Sequence, residues 1–75
     1  MSNIQTDRKI GMTVDEAAAY TGIGRNTLRF LIHHEKLPVL RVGRRIIIRS
    51  DVLARFLDSN QDVNLLDLDK VVRVN

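Results

Sequence analysis

Apolar and polar positions along the chain switch between a helical and an alternating period, and the switches predict its elements. Residues 1–10 show no pattern and read as a flexible leader. Order begins at Thr13-Val14-Asp15-Glu16, where a threonine precedes a glutamate by three residues. That spacing is a capping box, and it satisfies two orphan backbone donors at a helix start. A first helix through Ala17, Ala18, Ala19 and Tyr20 is predicted, with Tyr20 facing the core. Gly22-Ile23-Gly24 breaks it, and Ile23 plugs the core between the two glycines. Leu28, Leu31 and Ile32 then fall at i, i+3 and i+4, one buried stripe on a second helix from about Arg25 to His34.

Leu37-Pro38 ends that helix, because the residue before proline avoids helical angles. Val39 to Val42 and Ile46 to Arg49 flank Gly43-Arg44-Arg45 and predict a two-stranded β-hairpin. Ser50 is placed as the N-cap of a third helix, with Leu53, Phe56 and Leu57 on its buried stripe. The third helix ends near Ser59-Asn60, so residues 11–60 form the domain and residues 61–75 a C-terminal extension. Val63, Leu65, Leu66, Leu68, Val71, Val72 and Val74 make this extension too apolar for a free tail. It is expected either to complete the core as a strand or helix, or to contact a partner.

Charge sharpens this α+β outline. Residues 1–50 hold nine bases and four acids, net +5, while residues 51–75 hold three bases and five acids, net −2. A basic body with an acidic tail suits a polyanionic partner, although solubility charge accounts for the same numbers. Cysteine is absent, which excludes disulfides and thiolate metal sites. No apolar run approaches a membrane span and no stretch reads as a signal peptide, so a cytoplasmic, nucleoid-associated protein is expected. His33-His34 has no acid or cysteine at ligand spacing, so no metal is expected, and no residue set suggests catalysis or a cofactor.

Helix, glycine-containing turn, helix is the helix-turn-helix arrangement, whose second helix can enter the major groove of DNA. Rotation away from the buried stripe puts Asn26, Phe30 and His33 opposite it, with Thr27 and Arg29 flanking and Arg25 in the first turn. Asparagine pairs bidentately with adenine and arginine with guanine, and a solvated helix face is the plain alternative. Phe30 has three readings: contact with a thymine methyl, a protein-binding patch, or core in a shifted register. Arg44 and Arg45 at the hairpin tip, with Arg41 just before, can straddle a phosphate backbone or enter a minor groove.

Residues 12–57 resemble the excisionase family of small winged-helix proteins, related to the DNA-binding domains of MerR-type regulators. Met12 to Ala18 is similar to that family's first helix, and Thr21-Gly22-Ile23-Gly24-Arg25-Asn26-Thr27-Leu28 to its turn and second-helix start. Leu37-Pro38, Arg41-Val42-Gly43-Arg44-Arg45 and Ile48 resemble its wing, and Ser50 to Leu57 its closing helix. Many relatives carry glycine where Glu35 stands and a polar residue at Phe30. The resemblance implies a winged helix-turn-helix of three helices and a hairpin wing, with one helix in the major groove and the wing on the adjacent minor groove or backbone. It implies a protein without chemistry of its own that bends double-stranded DNA and assists a tyrosine recombinase (integrase) in excising a mobile element. Carried over by position, Arg25, Asn26, Thr27 and Arg29 are its helix contacts and Arg44 and Arg45 its wing contacts. Self-association on DNA is a further expectation. The same domain at a promoter or plasmid origin would be a transcriptional or replication regulator. If Phe30 and the tail form an interface, it would be a protein-interaction module.

Overall fold

The computed structural model describes residues 10–74, and the first nine residues of the predicted leader lie outside them. The elements run β1 (Gly11–Met12), α1 (Val14–Thr21), α2 (Arg25–His33), β2 (Leu40–Val42), β3 (Arg45–Arg49) and α3 (Ser50–Ser59). This is the α+β winged helix-turn-helix expected from the sequence, with one addition. The hairpin is not alone: β1 pairs antiparallel with β3, giving a three-stranded sheet of order β1-β3-β2. Gly11 stands opposite Arg49 and Met12 opposite Ile48. Ile10, assigned above to the leader, is already engaged, since its carbonyl accepts from the Ser50 amide at 2.8 Å.

The capping box at the start of α1 forms as its residues dictate. Thr13 Oγ1 accepts from the Glu16 amide at 3.1 Å, and Glu16 Oε1 accepts from the Thr13 amide at 3.0 Å. At the other end Gly22 takes a left-handed φ of 81° and its amide donates to Ala18 O. Thr21 fastens the turn on both sides: its hydroxyl donates to Ala17 O at 2.8 Å and accepts from the Ile23 amide at 3.1 Å. Tyr20 is not core. It is 64% exposed, because α1 buries Val14 and Ala17 and turns its last residues outward.

α2 buries Leu28, Leu31 and Ile32, the stripe read from the sequence. Its end is a left-handed cap carried by a residue other than glycine: Glu35 has φ 60°. The Lys36 amide donates to Leu31 O at 2.9 Å and the Glu35 amide to Ile32 O at 3.0 Å. Those two bonds are the Schellman pair that closes a helix when the residue past its cap is left-handed.

No residue separates β3 from α3. The cap of α3 is Arg49 rather than Ser50, and it makes no side-chain capping bond. Ser50 is the first residue inside the helix, and its amide extends the β1–β3 pairing by donating to Ile10 O at 2.8 Å. The buried stripe of α3 is Val52, Leu53 and Phe56, and Leu57 is 39% exposed, so the expected face is rotated.

The core gathers Leu28, Leu31, Leu37, Ile48, Leu53 and Phe56, all fully enclosed. Each such side chain contributes about 1.5–3 kcal/mol through burial. Residues 60–74 form neither the strand nor the helix considered above but a run of turns. They still reach the core, with Val71 and Val74 buried and Val63, Leu65 and Leu68 packed against it. The segment is held by Asn60, the buried polar residue of the described set. Asn60 Nδ2 donates to Phe56 O at 2.8 Å and Val72 O at 3.0 Å, and Oδ1 accepts from the Val72 amide at 2.7 Å. Its amide thus pairs with Val72 as a neighbouring strand would. No helix of the described residues is long and apolar enough to cross a membrane.

Candidate nucleic-acid interface

Two structural parts carry the residues singled out from the sequence. The first is the outward side of α2. Arg25, Asn26, Arg29 and His33 are exposed there, while Thr27 and Phe30 are half-buried at its margins. The register is the expected one, so the core reading of Phe30 falls away: its ring lies outside the buried cluster. It meets the His34 ring edge-on, with centroids 4.8 Å apart and planes at 67°, and His33 meets His34 at 5.1 Å. The end of α2 therefore carries a small aromatic group beside its polar face.

The helix start is cationic and open. Its cap is Gly24, which has no side chain to satisfy the first amides, and no acid lies in its first turn. The positive end of the helix dipole adds to Arg25 at this point. Arg25 is not free, however. Its Nη1 bonds Asp15 Oδ1 of α1 at 3.2 Å, with side chains 60% and 67% exposed.

The second part is the β2–β3 hairpin. Val42 pairs with Arg45, so the loop is only Gly43-Arg44. Gly43 has φ 62° and Arg44 does not share the positive region, the form of two-residue loop that wants glycine first. Arg44 and Arg45 are thus not two neighbours on a turn, as the sequence suggested. Arg44 is at the tip and Arg45 is the first residue of β3, a consequence of the pairing register. Arg41 pairs with Ile46, which places it on the opposite face of the sheet from Arg45. Arg45 shares its face with Leu40, Val42, Ile47 and Arg49.

Leu40 and Val42 are exposed there, an apolar outer surface the sequence reading did not single out. Its signal was present in the alternation Leu40-Arg41-Val42. A shallow cavity of about 130 Å³ opens at the root of this face, lined by Pro38, Val39, Leu40, Ile47, Arg49 and Val52. Its one charged lining residue is already committed. Arg49 Nε and Nη2 both bond the Asp51 carboxylate, each at 2.9 Å. These bonds and the adjacent charge hold the Asp51 carboxyl below its ordinary range and raise the Arg49 guanidinium. Arg55 approaches the same carboxylate at 3.7 Å.

Arginine is thereby sorted into two sets. Arg25, Arg49 and Arg55 face acids, through Asp15 and Asp51. Arg29, Arg41, Arg44, Arg45 and Arg73 make no ion pair among the described residues; the first four are exposed on α2 or the hairpin, and Arg73 is exposed in the C-terminal run of turns. Neither acid was recognised from the sequence as a partner. The Arg49–Asp51 spacing across a strand-to-helix junction is a usable cue, whereas Arg25 and Asp15 meet only through the α1–α2 turn.

Comparison with protein families returns a match between residues 12–61 and the model of a helix-turn-helix domain. No curated protein and no solved structure matches the chain.

Proposed function

Because the chain belongs to the helix-turn-helix domain family, matching it over residues 12–61, we propose that it acts by holding double-stranded DNA in a sequence-specific manner. In this reading the outward side of α2 enters the major groove, and Asn26, Thr27, Arg29, Phe30 and His33 meet base edges there. Arg25 meets phosphate at the helix start. Arg41, Arg44 and Arg45 serve the adjacent backbone or minor groove. The observation that supports the reading is the state of the arginines: Arg29 on α2 and Arg41, Arg44 and Arg45 on the hairpin are exposed and make no ion pair among the described residues.

The finer reading is an architectural excisionase that bends DNA for a tyrosine recombinase and associates with further copies on neighbouring sites. It rests on the sequence resemblance over residues 12–57. Regulation of a promoter or plasmid origin uses the same local contacts.

Titration of duplex DNA at several salt concentrations tests the grip. Each phosphate neutralised contributes about −0.9 to the slope of log affinity against log salt, so Arg25, Arg41, Arg44 and Arg45 on phosphate give roughly −3.6. Arg29→Ala is expected to lose site preference, about 1–3 kcal/mol for a bidentate base contact. Arg44→Ala is expected to weaken all duplexes alike. Equal losses on selected and random DNA from both substitutions would remove the assigned roles. Footprinting on the flanks of the encoding element, with and without its integrase, tests the finer reading.

A further inference from the structure

The Arg25–Asp15 pair stands at the point where the two helices of the motif both approach the proposed DNA surface. Asp15 lies in the first turn of α1 and Arg25 in the first turn of α2, ten residues further along the chain. In a helix-turn-helix the start of the second helix faces base edges while the first helix crosses the phosphate backbone. An exposed carboxylate in that position opposes phosphate, and it occupies the one cation of the helix start. The bond is single: Nη1 alone reaches Asp15 Oδ1, at 3.2 Å. A guanidinium has five N–H donors in a fork, so Nε and Nη2 remain available to a second anion.

Resting on the DNA-binding reading above, we infer that Asp15 is an affinity-limiting residue of the DNA surface, which holds Arg25 against α1 and yields it only to a phosphate placed close against the start of α2. A loosely seated protein on random DNA gains little by exchanging a carboxylate at 3.2 Å for a distant phosphate. A protein seated in the right register exchanges it for an equally close anion that stands in a row of like charges. Asp15 therefore costs specific binding the full worth of the pair and random binding less. The scale is set by what an exposed ion pair is worth, a factor of about two to five in affinity.

The test uses the whole chain and two probes: a duplex selected by the wild-type protein from a random pool, and its scrambled version. Binding is read by fluorescence anisotropy across a salt series. Asp15→Asn is expected to tighten binding to the selected duplex about two- to fivefold with its salt slope unchanged, since Arg25 meets the same phosphate in both proteins. Its gain on the scrambled duplex is expected to be smaller, so discrimination rises. In an Arg25→Ala background the same substitution should gain little, because the effect runs through Arg25. Thermal melting of each variant ensures that all are folded at the assay temperature, since Asp15 also favours the start of α1.

No gain on the selected duplex, equal gains on both duplexes, or a full gain without Arg25 would each overturn the inference. If the wild-type protein bound neither duplex in dilute salt, the DNA-binding reading itself would fall, a result distinct from all three.

Discussion

Replacing Glu35 by glycine should stabilise the protein, and the margin can be worked from its backbone. Glu35 sits at φ 60°, past the end of α2, with the amides of Glu35 and Lys36 bonded back to Ile32 and Leu31. A left-handed conformation costs a residue bearing a Cβ about 1–2 kcal/mol, and glycine escapes that cost. Glycine gives back about 0.4–1 kcal/mol because it widens the unfolded ensemble. The acid also lies at the negative end of the α2 dipole, so its removal adds about 0.3–1 kcal/mol. The balance is a gain of about 1 kcal/mol, which raises the melting temperature by about 4–8 °C in a domain of this size. Glu35→Gln is the control, since it removes the charge and keeps the Cβ; it should deliver only the dipole share. Calorimetric melting and urea titration of the two variants give the comparison. If Glu35→Gly proved no more stable than Glu35→Gln, the cap would not be strained and the reasoning would fail.

Three further substitutions probe other joints of the fold. A Cβ built on Gly11 lies 2.7 Å from Ile47 Cγ2, so Gly11→Ala should destabilise by about 1–3 kcal/mol, and Ile47→Ala should recover part of that in a double-mutant cycle. Asn60→Ala removes three hydrogen bonds from a buried site and should cost about 2–4 kcal/mol, with the Val72 amide losing its protection from hydrogen exchange. The Asp51 carboxyl is lowered by its hydrogen bonds from Arg49, so its stabilising effect is present above the ordinary carboxylate range and disappears as pH falls through the lowered value. Asp51→Asn should accordingly flatten the acid limb of a plot of melting temperature against pH.

Much of the architecture was legible because local rules and tertiary packing agree. Thr13 and Glu16 form a cap wherever they start a helix, and Leu28, Leu31 and Ile32 have only one way to share a face. Gly43 announces its loop, but the sequence did not show that the loop holds two residues, because register depends on which β2 residue meets Arg45. β1 escaped notice for a related reason: two residues show no period, and their strand exists only through β3. Leu57 and Tyr20 were assigned to the core from spacing alone. Where a helix begins relative to the sheet, and how much of it the tail covers, decides which margin is wet. The Asn60–Val72 pairing is a contact across twelve residues of turns and leaves no periodic trace. At the proposed site the cations were legible and their acidic partners were not, since charge is written in the sequence while proximity is not.

The abrupt passage from Arg49 of the last strand to Ser50 of the last helix has a mechanical consequence. A hairpin joined to its body by a loop would swivel under load. Here the strand bearing Arg45 continues without a hinge into a helix anchored by Leu53 and Phe56, and the Ile10 carbonyl braces the junction from the side. A displacement of the tip therefore has no intervening loop to absorb it before it meets the packed centre of the molecule.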